Sequence, residues 1–283
     1  MDWFTLSIIG MMLYGIQNFI YKVVAEKRYN TGLVLMASFI TGAIFSGIAL
    51  CFSFTAPDSY IPIFIFAAIQ ASFYLVSRHV KIESFKHIPA VVALPVSRVH
   101  FALTGLLGII ILKEPYTQNT IIGMLLFLAV ILLLSSGNSK KDIKQANFRA
   151  GIILAIATAI FTTISEFMVK IAAISYDVTL FMFLSYIWLI IPSQLLNIRL
   201  SDKKDNKRSA IISGFAIGIF NYASFYTVMS ALKVGPASVI FPIIGLNMLV
   251  TVFLAVIVYR EKITPLRLLA LILSVIAILF LRQ

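Results

Sequence analysis

Hydrophobic residues form runs of roughly 20 that follow one another from end to end, separated by short polar breaks. The runs are apolar on most faces, whereas strands of membrane β-barrels alternate apolar and polar residues over about ten positions. About 20 apolar residues allow a helix to cross the hydrocarbon core of a bilayer. The pattern therefore predicts an all-α, polytopic membrane protein with ten transmembrane helices. The predicted spans are residues 3–25, 31–54, 59–82, 88–112, 117–136, 150–173, 177–198, 209–232, 236–258 and 264–281.

The chain also repeats itself at an offset of 147 residues. Segments 86–117 and 233–264 share two prolines, an alanine, a glutamate, a threonine and a basic residue in register. The second shared proline is Pro95 in the first segment and Pro242 in the second. Internal duplication in a hydrophobic, helical chain is typical of membrane transporters.

The longest polar stretch divides the chain into two halves of five predicted spans each. We therefore predict a first five-helix repeat at 1–136, a basic linker loop at 137–149 and a second five-helix repeat at 150–283. Because each half has an odd number of spans, the second half enters the membrane in the opposite sense. The repeat is therefore predicted to be inverted.

The composition favours a membrane over a nucleic acid as the partner of this basic chain. The net charge is +12, but only 12% of residues are charged, and the mean hydropathy is +1.00; globular domains average about 25% charged residues. The basic residues concentrate in loops after odd-numbered spans, which predicts those loops in the cytoplasm and both termini outside. The single cysteine, Cys51, excludes a disulfide framework and a cysteine-based metal site. We expect no nucleic acid, metal or cofactor.

Three motifs resemble the drug/metabolite transporter superfamily in its EamA-type branch. Residues 13–22 are similar to the first span of that family, residues 231–264 to its ninth span and the turn that follows, and residues 113–115 to the end of its fourth span. The resemblance implies a ten-helix, inverted-repeat carrier in the cell membrane, commonly an exporter of amino acids or other small metabolites. Many relatives keep both termini in the cytoplasm, which is the opposite of the orientation that the charges predict here.

Polar side chains line one face of several predicted spans. They recur three or four residues apart, so they share a helix face. Because polar groups in hydrocarbon are costly, such faces are expected to line a solvated cavity; the alternative is that they only hydrogen-bond neighbouring helices. The candidate substrate-binding residues on these faces are Tyr14, Gln17, Asn18, Tyr74, Asn221 and Tyr222. Asn247, the repeat partner of His100, is a further candidate.

Arg98 is predicted near the bilayer midplane, about ten residues into the fourth span. A cation there requires a role or a partner. Its planar guanidinium suits a carboxylate or phosphate, so we predict that Arg98 binds substrate. The alternative is a structural ion pair with Glu166, the one acid predicted to lie mid-membrane. His100 is two residues further on and is expected to serve in packing.

Pro95 and Pro242 are predicted to break their helices, because proline removes an intrahelical hydrogen bond. Interrupted helices at matching places in two repeats point to a midplane binding site. The glutamates at the ends of these two spans, Glu114 and Glu261, are expected to be solvated charges that fix helix depth.

Together these patterns predict a secondary transporter rather than an enzyme, since no catalytic or nucleotide-binding motif is recognised in the spans. The substrate is predicted to be a small polar metabolite such as an amino acid or organic anion, moved outward by alternating access. Glu166 is the candidate coupling residue, and the proton is the candidate coupling ion. In this interpretation Arg98 pairs with Glu166 in one state and with the substrate in the other. The protein is expected to act as a monomer or homodimer. The alternatives are an exporter of cationic drugs, a lipid flippase or a non-transporting membrane protein.

Overall fold

Helices are the regular secondary structure of the described residues, which are 1–27, 29–53, 59–88, 90–135, 145–199, 206–259 and 265–282 of a computed structural model. No strand occurs among these residues. In chain order the helices are α1 Trp3–Glu26, α2 Thr31–Ser53, α3 Tyr60–His87, α4 Ala90–Arg98, α5 His100–Ile111, α6 Gln118–Ser135, α7 Gln145–Ser175, α8 Val178–Arg199, α9 Lys207–Val234, α10 Ala237–Gly245, α11 Asn247–Tyr259 and α12 Pro265–Arg282.

Six helical segments of the described chain are long and apolar enough to cross a membrane. At about 1.5 Å per residue, even the shortest of them, with 22 residues, spans the hydrocarbon core. Four shorter apolar helices lie where the remaining predicted spans were placed. The all-helical, multi-pass class is thus confirmed, while the count of ten spans stays a prediction.

Two predicted spans are each divided into two helices. The predicted span 88–112 consists of α4 and α5, which meet at Val99, and the predicted span 236–258 consists of α10 and α11, which meet at Leu246. The interruptions lie four residues beyond Pro95 and Pro242, both of which remain inside helices. At each interruption the backbone amide bonds three residues back, as in a 3₁₀ turn, instead of four.

The sequence repeat is visible in where the helices begin. Each of the five helices from α2 to α6 starts 147 residues before its counterpart among α8 to α12. The two helices that precede the interruptions, α4 and α10, have nine residues each. These matches support the duplication. The inversion of one half relative to the other stays a prediction.

The predicted linker at 137–149 is partly helical, because α7 begins at Gln145. Its remaining residues, 137–144, lie outside the described residues.

Two compact units can be distinguished, and each takes segments from both sequence halves. The first unit comprises Met1–Ser72, Val169–Val234 and Asn247–Tyr259. The second unit comprises Phe73–Met168, Gly235–Leu246 and Arg260–Gln283. Packing is therefore organised differently from the predicted repeats, which are contiguous in sequence.

Side chains at the helix starts follow the repeat as well. Asn30 accepts a hydrogen bond from the amide of Leu33 at the start of α2, and Asp177 accepts one from the amide of Leu180 at the start of α8. Both residues satisfy an otherwise unpaired N-terminal amide. Asp2 caps α1, and its hydrogen bond from the Thr5 hydroxyl lowers the pKa of the Asp2 carboxyl.

Small residues bring α2 and α9 close together in the first unit. A methyl group on Gly214 would lie 2.6 Å from the carbonyl oxygen of Val34, and one on Gly218 would lie 2.5 Å from Cβ of Thr41. Such contacts are typical of helix packing in membranes, where close approach replaces the hydrophobic driving force. Large apolar side chains such as Ile61, at 69% exposure, face outward as expected for a lipid-facing surface.

Candidate functional site

Arg98 is the last residue of α4, immediately before the interruption at Val99. The side chain is half-buried, and its Nη1 donates a hydrogen bond to the carbonyl oxygen of Gly245 at 3.3 Å. Gly245 is the repeat partner of Arg98 and the last residue of α10. The last turn of a helix presents carbonyls that lack intrahelical donors, and these suit a cation.

Gly245 leaves no room for a larger residue. A methyl group there would lie 2.4 Å from the Phe127 ring and 2.9 Å from the Phe101 ring. Glycine at this position therefore allows the two phenylalanine rings to pack directly against the α10 backbone that receives Arg98.

Two arginines of the second unit, Arg78 and Arg98, act on Lys81. Lys81 on α3 lies within electrostatic range of both Arg78, on the same helix, and Arg98 on α4. Arg78 donates to the Tyr74 hydroxyl at 2.9 Å, and its guanidinium lies 4.8 Å from the centre of the Tyr74 ring. Tyr74, a predicted binding residue, thus supports a member of this group. We call Arg78, Lys81 and Arg98 the cation group.

Glu166 forms an ion pair with His100, a partner that the sequence analysis did not name. Oε1 of Glu166 lies 3.2 Å from Nε2 of His100, and both side chains are largely buried. The Thr104 hydroxyl lies 3.3 Å from Oε2 of the same carboxylate. His100 is the first residue of α5, directly after the interruption at Val99. Its side chain meets Glu166 on α7.

Asn18 and Asn247 meet in the first unit. The Asn18 side-chain amide donates to the Asn247 side-chain oxygen at 3.0 Å. Gly15 permits this approach of α1 and α11, since a methyl group there would lie 2.8 Å from the Asn247 carbonyl oxygen. Thr251, one turn beyond Asn247, donates to the Gly15 carbonyl oxygen at 3.0 Å. Two of the predicted binding residues are therefore joined across helices.

Asn221 has a partner that the sequence analysis did not single out. The Tyr186 hydroxyl on α8 donates to the Asn221 side-chain oxygen at 2.7 Å. Tyr222 stacks on Phe45 and on Tyr226, with ring centres 5.8 and 6.2 Å apart. Gly42 packs against the Tyr186 ring. A single sequence does not show which side chain a glycine packs against, so this signal for Tyr186 could not be used.

Gln17 is buried at 3% exposure, and its Oε1 accepts no hydrogen bond from any residue that the structure describes. Tyr14, on the preceding turn of α1, is half-buried. A buried amide oxygen without a donor is uncommon, so this face of α1 has capacity for a further polar group.

Glu114 holds the start of α10, in contrast to the expected solvated charge. Its Oε2 accepts a hydrogen bond from the amide of Ser238 at 3.2 Å, where a negative charge is favoured. The preceding residue, Lys113, has a left-handed backbone with φ of 53°, which ends α5 and turns Glu114 toward α10. The counterpart Glu261 lies outside the described residues.

No group of three or more His, Cys, Asp or Glu side chains in the described ranges could hold a metal ion.

Residues 149–283 match the EamA-like transporter family. The second half of the chain is thus similar to a family of membrane transporters. No curated protein matches the chain. Among solved structures 29 chains match. One of them, described as "Crystal structure of protein", has a TM-score of 0.84 over 98% of this chain and 95% of its own, at 15% identity, which shows a shared fold.

Proposed function

From the similarity of residues 149–283 to the EamA-like transporter family, we propose that the chain belongs to the drug/metabolite transporter superfamily and is a secondary transporter of a small organic anion or anionic metabolite, such as an acidic amino acid. It acts by alternating access and exports its substrate across the cell membrane. Arg98 is the residue that binds the anionic group of the substrate.

The cation group carries this proposal. Arg78 and Arg98 both act on Lys81, and like charges repel more strongly where water is scarce. An anion placed among them would relieve this repulsion. Arginine suits that task because its fork can bind both oxygens of a carboxylate or phosphate.

The interrupted helices add a second reason. Arg98 and Gly245 end α4 and α10 at matching places in the repeat, where backbone carbonyls and a charged side chain come together. Interruptions of this kind mark substrate sites in transporters built from repeats. In this proposal Gly245 holds Arg98 in the absence of substrate, and the substrate competes for the guanidinium.

The competing interpretation is an exporter of cationic drugs, which needs a membrane-embedded acid available to the drug. Glu166 is the acid in question, but it is paired with His100. The same cation group would repel a cationic ligand. We therefore propose the anion carrier and use cations as the contrasting set in its test.

Thermal unfolding of the detergent-purified protein provides the first test. Probes are L-glutamate, L-aspartate, citrate, glucose 6-phosphate and tetraphenylphosphonium. A ligand bound by the folded state raises the unfolding temperature. We expect a rise with at least one anion and none with the phosphonium cation. A rise with the cation alone would contradict the proposal.

Arg98 variants provide the second test. Arg98→Ala should weaken binding of that anion by about tenfold to 100-fold, since a hydrogen bond to a charged group contributes roughly 1.5–3 kcal/mol. Arg98→Lys should remain defective, because lysine keeps the charge and loses the fork. Arg208→Ala is the matched control, since Arg208 is exposed and lies outside the cation group, and this variant should bind the anion as wild type does. Equal affinity in Arg98→Ala and wild type would remove Arg98 from the binding site.

A further inference from the structure

The pair of His100 and Glu166 corresponds, through the repeat, to the pair of Asn247 and Asn18. Asn247 follows His100 at the offset of 147 that relates the second parts of the halves, and Glu166 follows Asn18 at the offset of 148 that relates their first helices. Each pair joins the first residue of a helix that follows an interruption to a long helix from the other half. One pair consists of neutral amides, and the other of an acid and a base.

The amide pair shows that this crossing of helices requires no ionisable group. Asn18 and Asn247 connect α1 and α11 by a single hydrogen bond of 3.0 Å. In the equivalent contact between α5 and α7, the chain uses two titratable side chains within apolar helices, where charged groups are costly. That cost indicates a task beyond helix packing.

The hydrogen-bond geometry fixes how many protons the pair holds. Nδ1 of His100 faces the carbonyl oxygen of Ser97, and a carbonyl only accepts, so Nδ1 carries a proton. Nε2 faces Oε1 of Glu166 at 3.2 Å. If the imidazole were neutral and the carboxylate ionised, two lone pairs would point at each other. One proton must therefore lie between them, on His100 or on Glu166.

We propose that His100 and Glu166 together bind one exchangeable proton and form the proton-coupling site of the transporter. With the proton bound, the pair is neutral overall and joins α5 to α7. Without it the pair carries one negative charge and its two acceptors repel, so this contact opens. The assignment of coupling rests on the proposed transport function, whereas the shared proton rests on geometry alone.

The surrounding charges connect the proton to the anion. Arg98 lies two residues before His100 and acts on Lys81 of α3. An anion bound to Arg98 cancels positive charge two residues from His100, which favours a bound proton over the negative, proton-free state. Anion and proton are thus expected to bind together, with one proton for each substrate.

Two other charged residues on α3 belong to a separate pair. Nε2 of His87 lies 3.8 Å from Oε1 of Glu83, one helical turn away. The third histidine, His79, is exposed. These two histidines serve as internal references, since the chain has only three.

Nitrogen NMR of protein labelled with ¹⁵N-histidine tests the shared proton without any substrate. The His100 signals are assigned by their loss in His100→Asn. We expect a protonated Nδ1 in the protein without substrate. In Glu166→Gln the His100 signals should shift, while those of His79 and His87 stay in place. An unprotonated Nδ1, or His100 signals unaffected by Glu166→Gln, would overturn the proposal.

Proteoliposomes loaded with a pH-sensitive dye test the coupling. L-glutamate, L-aspartate, citrate and glucose 6-phosphate are added outside as probes, and in wild type at least one should drive proton flux. The double variant His100→Asn/Glu166→Asn has the same residue types at this crossing as the pair of Asn18 and Asn247. It should therefore fold with an unchanged unfolding temperature and lose this flux. Retained flux in the double variant would overturn the coupling role. If wild type shows no flux with any probe while the NMR result holds, coupling fails with the proposed function and the proton site stands.

If the double variant does not fold, Glu166→Gln takes its place, because it keeps the shape of the side chain and removes the exchangeable proton. Full proton flux in Glu166→Gln would overturn the proposal in the same way.

Discussion

Asn18 and Asn247 illustrate what one side chain contributes at a helix crossing. Each amide has the other as a partner at 3.0 Å, in a part of the chain where water is scarce. Truncating one of them leaves the other amide with an unmet hydrogen bond, and truncating both removes the problem. The effects of the single changes are therefore not expected to add.

A double-mutant cycle measures this dependence. We predict that Asn18→Ala and Asn247→Ala each lower the free energy of unfolding, and that the cycle gives a coupling energy of about 0.5–1.5 kcal/mol, as for other hydrogen bonds between membrane helices. The measurement is unfolding of the purified protein in detergent. A coupling energy near zero would show that the hydrogen bond does not stabilise the crossing.

Residue positions were predictable from the sequence, but their partners were not. The polar face of α1 and the repeat together identified Asn18, Glu166 and Asn247 as important. Pairing Glu166 with His100 required knowledge that the interruption lies at Val99, because a regular helix would have separated His100 from Arg98 by about 200° without showing which of them meets α7. The correspondence of Asn18 with Glu166, and of Asn247 with His100, was the signal that could have revealed the pair.

At the scale of an element, α10 depends on a residue far from it in sequence. Glu114 lies 124 residues before Ser238, whose amide it accepts, so the start of α10 is held by the turn that follows α5. The predicted role of Glu114 as a solvated charge was wrong, because a lone sequence shows the charge at a helix end but not the helix packed against it.

We predict that Glu114→Ala lowers the free energy of unfolding by about 1–2 kcal/mol, the sum expected for a lost cap and a lost charge at a helix start. Glu83→Ala is the matched control, since the Glu83 side chain is 37% exposed and lies 3.8 Å from His87 on the same helix; its effect should stay below about 0.5 kcal/mol. Thermal or denaturant unfolding in one detergent compares the two. Equal effects would show that the contact with Ser238 is not stabilising.

The helices that carry the interruptions were predicted in place, and the prolines were the correct markers of their neighbourhood. The exact site of each interruption was not predicted. Proline weakens the turn that precedes it, whereas here the tighter turn is formed by the amides of Val99 and Leu246, four residues after each proline. Where a weakened helix yields depends on the packing of both neighbours, and this information lies outside the local sequence.

For the whole molecule, the loop charges predict an orientation. Ser139 and Ser201, which lie outside the described residues, are expected in the cytoplasm with both termini outside. Cys51 is exposed and must first be replaced by serine. In that background, Ser139→Cys and Ser201→Cys should resist a membrane-impermeant thiol reagent applied to intact cells. Ser59→Cys, at the outer end of the third predicted span, should react. Labelling at 139 with protection at 59 would reverse the orientation.

The interleaving of the two units has a consequence for how the protein is made. Arg98 leaves the ribosome long before Gly245, its partner 147 residues later. At about 5–20 residues per second, roughly 7–30 s separate their synthesis. During that time the α10 backbone that accepts the Arg98 hydrogen bond has not been made. The contact between α4 and α10 therefore forms late, after most of the second half has left the ribosome.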